Sequence, residues 1–404
     1  MNSHSFRPRS RTDRALAWSA LAVLATLATP VVADPIYNLT PLVTDDQDAL
    51  ADEGFGPAAT VDPNLINPWG VSFGPGGPFW VSNQGTNTST LYDGEGERFP
   101  PGNPLVVDIP QGGPPTGPTG QVFAGGSDLV LPTGGDGLFF FASLDGSISG
   151  WNPASGTTAQ VVVSPSASRI YTGLALASMD GGSFLYAANR VSGTIDVFDS
   201  NYQLATLPAG AFDAGPNPDG LVPFNVQTVG GFIYVTFSIP GVDADEAPLG
   251  SGFVNVYNTD GSFVRRIDSD QFASPWGVAL APDDFGEFSN ALLIGNFNDA
   301  FGFINAFDAA TGEFIGTMLD ANGDPLIIPY LWALLFGDGV LNDADDLYFA
   351  AGIGDELHGL FGEISAAAVS EPGTAALMLL ALAGMVGLRQ RRDLEPRRAR
   401  LVPG

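Results

Sequence analysis

Tryptophan and asparagine side chains recur at similar positions along the chain, and together they could recognise a carbohydrate. Indole rings offer flat apolar surface on which a sugar ring can stack, and amides offer fixed hydrogen-bond partners. A structural interpretation competes, because tryptophan also fills cores and asparagine is favourable in turns. The residues predicted to line a ligand site are Trp69, Asn83, Asn189, Asn225, Trp276, Asn296, Trp332 and His358, with Asn67, Asp145 and Asp355 expected on the same face.

Catalytic chemistry has little support in the residue types available. His358 is the one histidine beyond the first 33 residues, and a triad would have to use it beside Glu356. An isolated histidine next to a turn is more often structural. The chain has no lysine, no cysteine and no Gly-x-Ser-x-Gly motif. Acid–base chemistry by carboxylates stays open, but no catalytic residue is predicted.

Three acidic clusters lie in predicted turns and raise the question of a metal. Carboxylate and amide oxygens are the ligands that Ca²⁺ prefers. None of the clusters has the spacing of a complete EF-hand loop, so solvated loops are the favoured interpretation. We predict no metal ligand and no cofactor, and keep calcium as an alternative. The clusters are residues 243–246, 320–324 and 343–346.

The charge of the chain excludes one class of partner. Residues 34–368 carry five arginines against 40 acidic residues, a net charge of −35. Such a field repels phosphate backbones, so nucleic acid is excluded as a partner. Without cysteine there is no disulfide and no thiol nucleophile.

Five similar segments indicate which elements position these residues. In each, a strand in which apolar and polar residues alternate ends in an aromatic residue followed by Asp or Asn. The aromatic lies on the opposite strand face from its apolar neighbours, so both faces need burial. A blade stacked between two other blades meets that need. The segments are residues 91–93, 148–152, 195–199, 254–258 and 304–308.

A second repeated position lies upstream of these segments. Its members are 50, 53, 53, 51 and 56 residues apart, a period typical of propellers and repeat arrays. We predict an all-β, six-bladed β-propeller over residues 34–368, with residues 37–44 completing the last blade and thereby closing the ring. The repeated position is Trp69, Thr119, Thr172, Asn225, Trp276 and Trp332, and the blades are residues 69–109, 119–164, 172–207, 225–267, 276–319 and 332–364.

The N-terminal 33 residues have the features of a secretory signal peptide. Four arginines precede an apolar run over residues 15–32, and Val31, Val32 and Ala33 form a small-residue cleavage site. A retained membrane anchor is the alternative, because the apolar run is of borderline length for a span.

The C-terminal region resembles the PEP-CTERM sorting signal of Gram-negative bacteria. Glu371 and Pro372 match its motif, an apolar stretch covers residues 375–388, and arginines follow within the signal at residues 369–392. The resemblance implies recognition by an exosortase-type processing enzyme, with transient inner-membrane anchoring before release to the envelope or the extracellular space. A plain C-terminal anchor is the alternative. Residues 393–404 form an added basic tail.

Residues 62–70, 79–83, 145–151 and 356–362 resemble a family of uncharacterised bacterial secreted six-bladed propellers, and more distantly NHL-type and lactonase-like propellers. The resemblance implies the fold and the export, and no particular activity. We expect a cell-surface or extracellular-matrix binding or scaffold protein in contact with exopolysaccharide or another surface component. The alternatives are a calcium-dependent lactonase or lyase-like enzyme, and a purely structural matrix protein.

Overall fold

The computed structural model describes residues 36–217, 220–241 and 244–367, which form six mainly antiparallel sheets arranged in a ring. The predicted six-bladed β-propeller is therefore confirmed. The predicted leader at 1–33, the sorting signal at 369–392 and the basic tail at 393–404 lie outside the described residues. None of the helices in the described part of the chain is long and apolar enough to cross a membrane.

The chain enters through β1 (Tyr37–Thr44), the short helix α1 (Gln47–Asp52) and β2 (Thr60–Val61). Blades 1 and 2 contain β3 (Pro68–Ser72), β4 (Phe79–Asn83), β5 (Thr88–Tyr92), β6 (Val106–Asp108), β7 (Pro118–Phe123), β8 (Phe139–Ser143), β9 (Ile148–Trp151) and β10 (Gln160–Val163). Blades 3 and 4 contain β11 (Tyr171–Met179), β12 (Gly182–Asn189), β13 (Thr194–Phe198), β14 (Val222–Val229), β15 (Phe232–Ser238), β16 (Phe253–Tyr257) and β17 (Phe263–Asp268). Blades 5 and 6 contain β18 (Pro275–Leu280), β19 (Ala291–Asn296), β20 (Ile304–Asp308), β21 (Phe314–Thr317), β22 (Leu331–Phe336), β23 (Leu347–Ala351) and β24 (Leu360–Ala366).

The aromatic residue that ends the third strand of a blade is buried, as the alternating pattern predicts. Tyr92, Phe198 and Tyr257 are among the largest fully or nearly fully buried side chains. The acidic residue that follows caps the turn: the Asp93 carboxylate accepts hydrogen bonds from the backbone N–H groups of Glu95 and Glu97. Both strand faces are therefore buried between blades, and the turn is set by local side-chain chemistry.

The last blade is completed by the first strand of the chain. β1 pairs antiparallel with β24, from Tyr37 opposite Ala366 to Thr44 opposite Leu360. The Tyr37 hydroxyl donates to the Phe285 carbonyl at 3.2 Å and accepts from the Phe288 N–H at 3.2 Å, which fixes β1 to blade 5 as well. The predicted closing strand at 37–44 is thus confirmed.

One strand prediction is wrong. The predicted blade 3, residues 172–207, includes a fourth strand at 204–207, but in the structure this segment makes only a single bridge between Phe198 and Leu204. Pro208 follows at once and has no N–H with which to continue the ladder. The chain instead crosses to blade 4, where the Phe212 N–H donates to the Gly261 carbonyl at 2.8 Å. Blade 3 therefore consists of three strands.

The innermost strands approach one another at backbone distance. A Cβ placed on Gly70 would lie 2.5 Å from the Thr119 carbonyl oxygen, and one on Gly277 would lie 2.5 Å from the Trp332 carbonyl oxygen. Glycine is required at these positions because any side chain would push neighbouring blades apart.

Acidic residues gather beside the closing strand. Burial, together with the charges of Asp346, Glu95 and Asp343, raises the pKa of Glu363 to about 7. Burial and the charges of Asp343 and Asp345 raise the pKa of Asp346 to about 6. Since Glu363 lies opposite Thr40 of β1, its ionisation opposes the folding of the strand pair that closes the ring.

We therefore expect the protein to be less stable at pH 8 than at pH 5.5, and Glu363→Gln to remove part of that difference. The folded-state pKa lies above the ordinary value of 4.5, so stability falls as the pH rises between the two values. The gain at pH 8 is about 1 kcal/mol or less, because solvent screens this half-exposed carboxylate. Urea unfolding at both pH values measures it, with the exposed Glu313→Gln as control. Equal effects of Glu363→Gln at both pH values would contradict the assignment.

Candidate functional site

The three tryptophans of the repeated position meet at the propeller axis. The Trp69 and Trp332 rings stack with centroids 3.5 Å apart, and the Trp276 ring packs edge-on against both, at 6.4 Å and 5.6 Å. The Phe297 ring also stacks against Trp332, with ring centroids 3.8 Å apart. Together with Phe224 and Tyr330 these rings form a buried cluster, which we call the axial aromatic cluster.

Hydrogen bonds hold the axial aromatic cluster in place. The Trp332 Nε1–H donates to the Asn67 side-chain oxygen at 3.1 Å, and the Asn67 amide nitrogen donates to Gln84 and Glu356, both at 2.9 Å. The Trp276 Nε1–H donates to the carbonyl of Thr172, which lies in blade 3, at 3.1 Å. Burial raises the pKa of Glu356 above its ordinary value, and the hydrogen bond from Asn67 opposes that shift.

The tryptophans predicted as sugar platforms are therefore withdrawn from solvent. Trp69, Trp276 and Trp332 are 6%, 3% and 1% exposed. A sugar ring needs an accessible aromatic face. The three indole rings pack against one another and are buried, so they offer no such face. The structure brings the three residues together, but it uses their stacking area to fill the axis.

The predicted asparagines make hydrogen bonds within and between the blades. Asn83 donates to Thr88 and Thr90 within blade 1, Asn189 donates to Asp196 within blade 3, and Asn296 donates to the carbonyls of Gln271 and Phe301. Asn225 donates to the Trp276 carbonyl at 2.9 Å and thereby joins blade 4 to blade 5. These amides fix strand ends, in agreement with the turn interpretation of asparagine.

His358 is tied to the segment that follows the closing strand. Its Nδ1 lies 2.9 Å from an Asp45 carboxylate oxygen, and the other oxygen of Asp45 accepts from the Gly359 N–H at 2.8 Å. Glu356, which the sequence placed beside it, instead bonds Asn67. His358 and Glu356 therefore do not act as one hydrogen-bonded pair.

The acidic clusters behave as turns. Asp320 accepts from the N–H groups of Asn322 and Asp324, and Asp343 accepts from the N–H of Asp345. Within the described ranges, no group of three or more acidic or histidine side chains is arranged to hold a metal ion. Each carboxylate that caps its own turn has fewer lone pairs left for a cation.

A central cavity of about 350 Å³ lies along the innermost strands. Its walls are glycine, aliphatic and aromatic residues, with neutral polar groups contributed by Ser72, Gln121, Asn225, Gln227 and Thr228. The Gln121 side chain is 6% exposed; its nitrogen donates to the carbonyls of Gly70 and Trp80, while its oxygen has no partner among the described residues. The lining residues carry no ionisable side chain, so this cavity offers shape and hydrogen bonds without charge.

A second concavity lies between blades 3 and 4 and was missed by the sequence analysis. This blade 3–4 groove has a volume of about 510 Å³. Its walls include Thr194, Phe212, Phe237, Asn255, Tyr257 and Arg266. The adjacent pair Arg265 and Arg266, in a domain with five arginines, was a signal that could have pointed to it.

Two proteins of Acanthamoeba polyphaga mimivirus are related to this chain. The uncharacterised protein R648 is 32% identical over 320 residues, 76% of this chain and 76% of its own length. The uncharacterised protein L690 is 31% identical over 321 residues, 76% of this chain and 82% of its own. The chain therefore belongs to the family that R648 and L690 represent. No protein-family model matches it.

Solved structures resemble the propeller at low identity. A streptogramin B lyase has a TM-score of 0.44 at 12% identity, covering 75% of this chain and 94% of its own. The WD40 domain of Pan2 from Neurospora crassa has a TM-score of 0.44 at 10% identity, covering 80% and 95%. At these values the resemblance carries no argument about function.

We expect Trp332→Ala to destabilise the whole propeller. Removing a buried ring that stacks on Trp69 and Phe297 costs about 3–5 kcal/mol, and Trp332→Phe costs less because it keeps most of the stacking. Chemical denaturation followed by circular dichroism compares the two variants with the wild type. An unchanged unfolding midpoint for Trp332→Ala would show that the axial aromatic cluster is not part of the core.

Proposed function

We propose that this protein is an exported binding propeller that acts as a scaffold at the cell surface or in the extracellular matrix, in contact with polysaccharide. The observation that carries the proposal is the axial aromatic cluster. It fills one level of the axis with stacked rings at centroid distances of 3.5 Å and 3.8 Å. Packing of this kind stiffens the ring, which then presents its outer surfaces to partners.

The distribution of charge supports the same role. A calcium-dependent lactonase or lyase-like enzyme is expected to gather carboxylate and amide oxygens around the channel. The central cavity here is lined by uncharged side chains, and the Glu356 carboxylate, beside the axial aromatic cluster, accepts a hydrogen bond from Asn67. The large negative charge of the domain instead suits a protein that stays dispersed outside the cell.

Export and processing are proposed from the two ends of the sequence. The leader at 1–33 would direct secretion, and Glu371 and Pro372 would mark the site read by an exosortase-type enzyme. The apolar stretch at 375–388 would hold the protein in the inner membrane until that enzyme acts.

Expression of the full chain in a Gram-negative host that carries an exosortase and secretes exopolysaccharide tests the proposal. We expect the protein in the polysaccharide fraction, shortened at its C-terminus. The double variant Glu371→Ala, Pro372→Ala is expected to keep its full length and to fractionate with the inner membrane. Glu395→Ala, beyond the predicted motif, is the matched control and should be processed normally.

Recovery of the wild-type protein at full length from the cytoplasm would overturn export. Recovery outside the cell, but free of polysaccharide, would overturn the binding role. Metal analysis and a lactone-hydrolysis screen of the purified protein test the enzymatic alternative directly: bound calcium together with turnover would replace the proposed function.

A further inference from the structure

The blade 3–4 groove exists because blade 3 lacks its fourth strand. The ladder on the outer side of β13 stops after the Ala205 N–H donates to the Val197 carbonyl at 2.8 Å. The chain then leaves the blade and packs Phe212 against Tyr257, with ring centroids 5.0 Å apart. The space that a regular strand would fill remains as a concavity of about 510 Å³, which lies within the usual range of small-molecule sites.

Arg266 is held on the wall of this groove by three contacts. Its guanidinium carbon lies 3.9 Å from the centroid of the Phe253 ring. Its Nε–H donates to the Asn255 side-chain oxygen at 2.9 Å, and its Nη1 donates to the Pro216 carbonyl at 3.0 Å. The guanidinium is therefore fixed in orientation, and little side-chain entropy is lost when it binds a further group.

A buried hydrogen-bond chain positions Arg266. Asn255 is 1% exposed, and its amide nitrogen donates to the Tyr257 hydroxyl at 3.0 Å. That hydroxyl in turn donates to the Phe212 carbonyl at 3.2 Å. Because both ends of the Asn255 amide are used, its oxygen is oriented toward Arg266 and cannot turn away without breaking the chain.

The Arg266 guanidinium forms no ion pair within the described ranges, although the Asp213 side chain also lines the groove. No carboxylate of those residues lies within ion-pair distance of its guanidinium, and its Nη2 makes no hydrogen bond to them. A fixed guanidinium with free N–H groups matches a planar carboxylate.

We propose that the blade 3–4 groove binds a carboxylate-bearing sugar, a uronic acid unit of a polysaccharide, with the carboxylate on Arg266 and the sugar ring against the aromatic wall. The proposal rests on the polysaccharide-binding part of the proposed function and not on export. The partly exposed Phe212 and Phe237 supply apolar area, and the exposed Thr194 supplies a hydroxyl group for hydrogen bonding to the sugar.

The net charge of the domain restricts the class of ligand further. A net charge of −35 disfavours densely charged phosphate or sulfate polymers, since a single arginine cannot offset their repulsion. At physiological ionic strength that repulsion is screened over about 8 Å, so one carboxylate can still make a close contact with Arg266. A uronic-acid-containing polysaccharide fits both conditions, because only the carboxylate bound to Arg266 has to approach the protein closely.

Calorimetric titration with trigalacturonate tests the proposal, using the full chain purified in detergent. The methyl ester of trigalacturonate is the matched probe, because it has the same sugar rings without the charges. We expect trigalacturonate to bind and the ester to bind at least about tenfold more weakly, as loss of a charge-assisted hydrogen bond implies. Arg266→Gln should lose a similar factor for trigalacturonate, and Arg266→Lys should fall between, because it keeps the charge and loses the planar fork.

The neighbouring residue provides the matched control. Arg265 lies on the same strand but donates to the Ala309 carbonyl of blade 5 at 2.6 Å, so Arg265→Gln should bind as the wild type does. Unfolding midpoints within error of the wild type establish that the variants are folded.

The outcomes separate the two proposals. If trigalacturonate binds wild type, Arg266→Gln and Arg265→Gln equally, the groove assignment is wrong while polysaccharide binding stands. If neither trigalacturonate, its ester nor neutral polysaccharide binds the wild type, both proposals fail. If a tripeptide with a free C-terminus displaces trigalacturonate at a lower concentration, the groove is a peptide-carboxylate site and the sugar assignment is overturned.

Discussion

The pairing of β1 with β24 is the interaction on which the rest of the structure depends. Without it blade 6 would have three strands, the outer edge of β24 would be exposed, and the ring would have an open seam. The pairing joins residues more than 300 positions apart in sequence, from Tyr37 opposite Ala366 to Thr44 opposite Leu360. Tyr37 adds contacts with Phe285 and Phe288 of blade 5, so a single strand holds two blades together.

A closed ring determines what can happen at its axis. Six innermost strands are brought so close that glycine is needed where Gly70 and Gly277 face neighbouring carbonyls. At one level of the axis the space is filled by the axial aromatic cluster, and along the strands a small uncharged cavity is left. The ring departs from its own regularity at the blade 3–4 groove, and it is there that we propose recognition takes place.

The repeats in the sequence were sufficient to predict the architecture. The spacing of Trp69 and its equivalents fixed the number of blades, and the leftover segment at 37–44 had no other place than the incomplete last blade. Both inferences depend on local pattern and on the rule that exposed edges must be covered. The missing strand at 204–207 was not predictable in this way, because its residues have strand character and Pro208 alone opposes it.

The candidate site was harder to predict from the sequence than the fold. An aromatic residue at the start of an innermost strand can face solvent or the axis, and the pattern of Trp69, Trp276 and Trp332 does not distinguish the two. Arg266 acquires its geometry from Pro216, which is 50 residues away, and from Asn255 on the adjacent strand. Contacts of that kind arise from tertiary structure and leave no spacing in the sequence.

Native-state hydrogen exchange tests the central claim that the first strand closes the ring. We expect the β1 amides that pair with β24 to exchange as slowly as those in the middle of β12 and β19, since all of them should open only when the whole ring unfolds. Fast exchange in β1, with β12 and β19 still protected, would show that the ring is stable without its closing strand and would contradict the account.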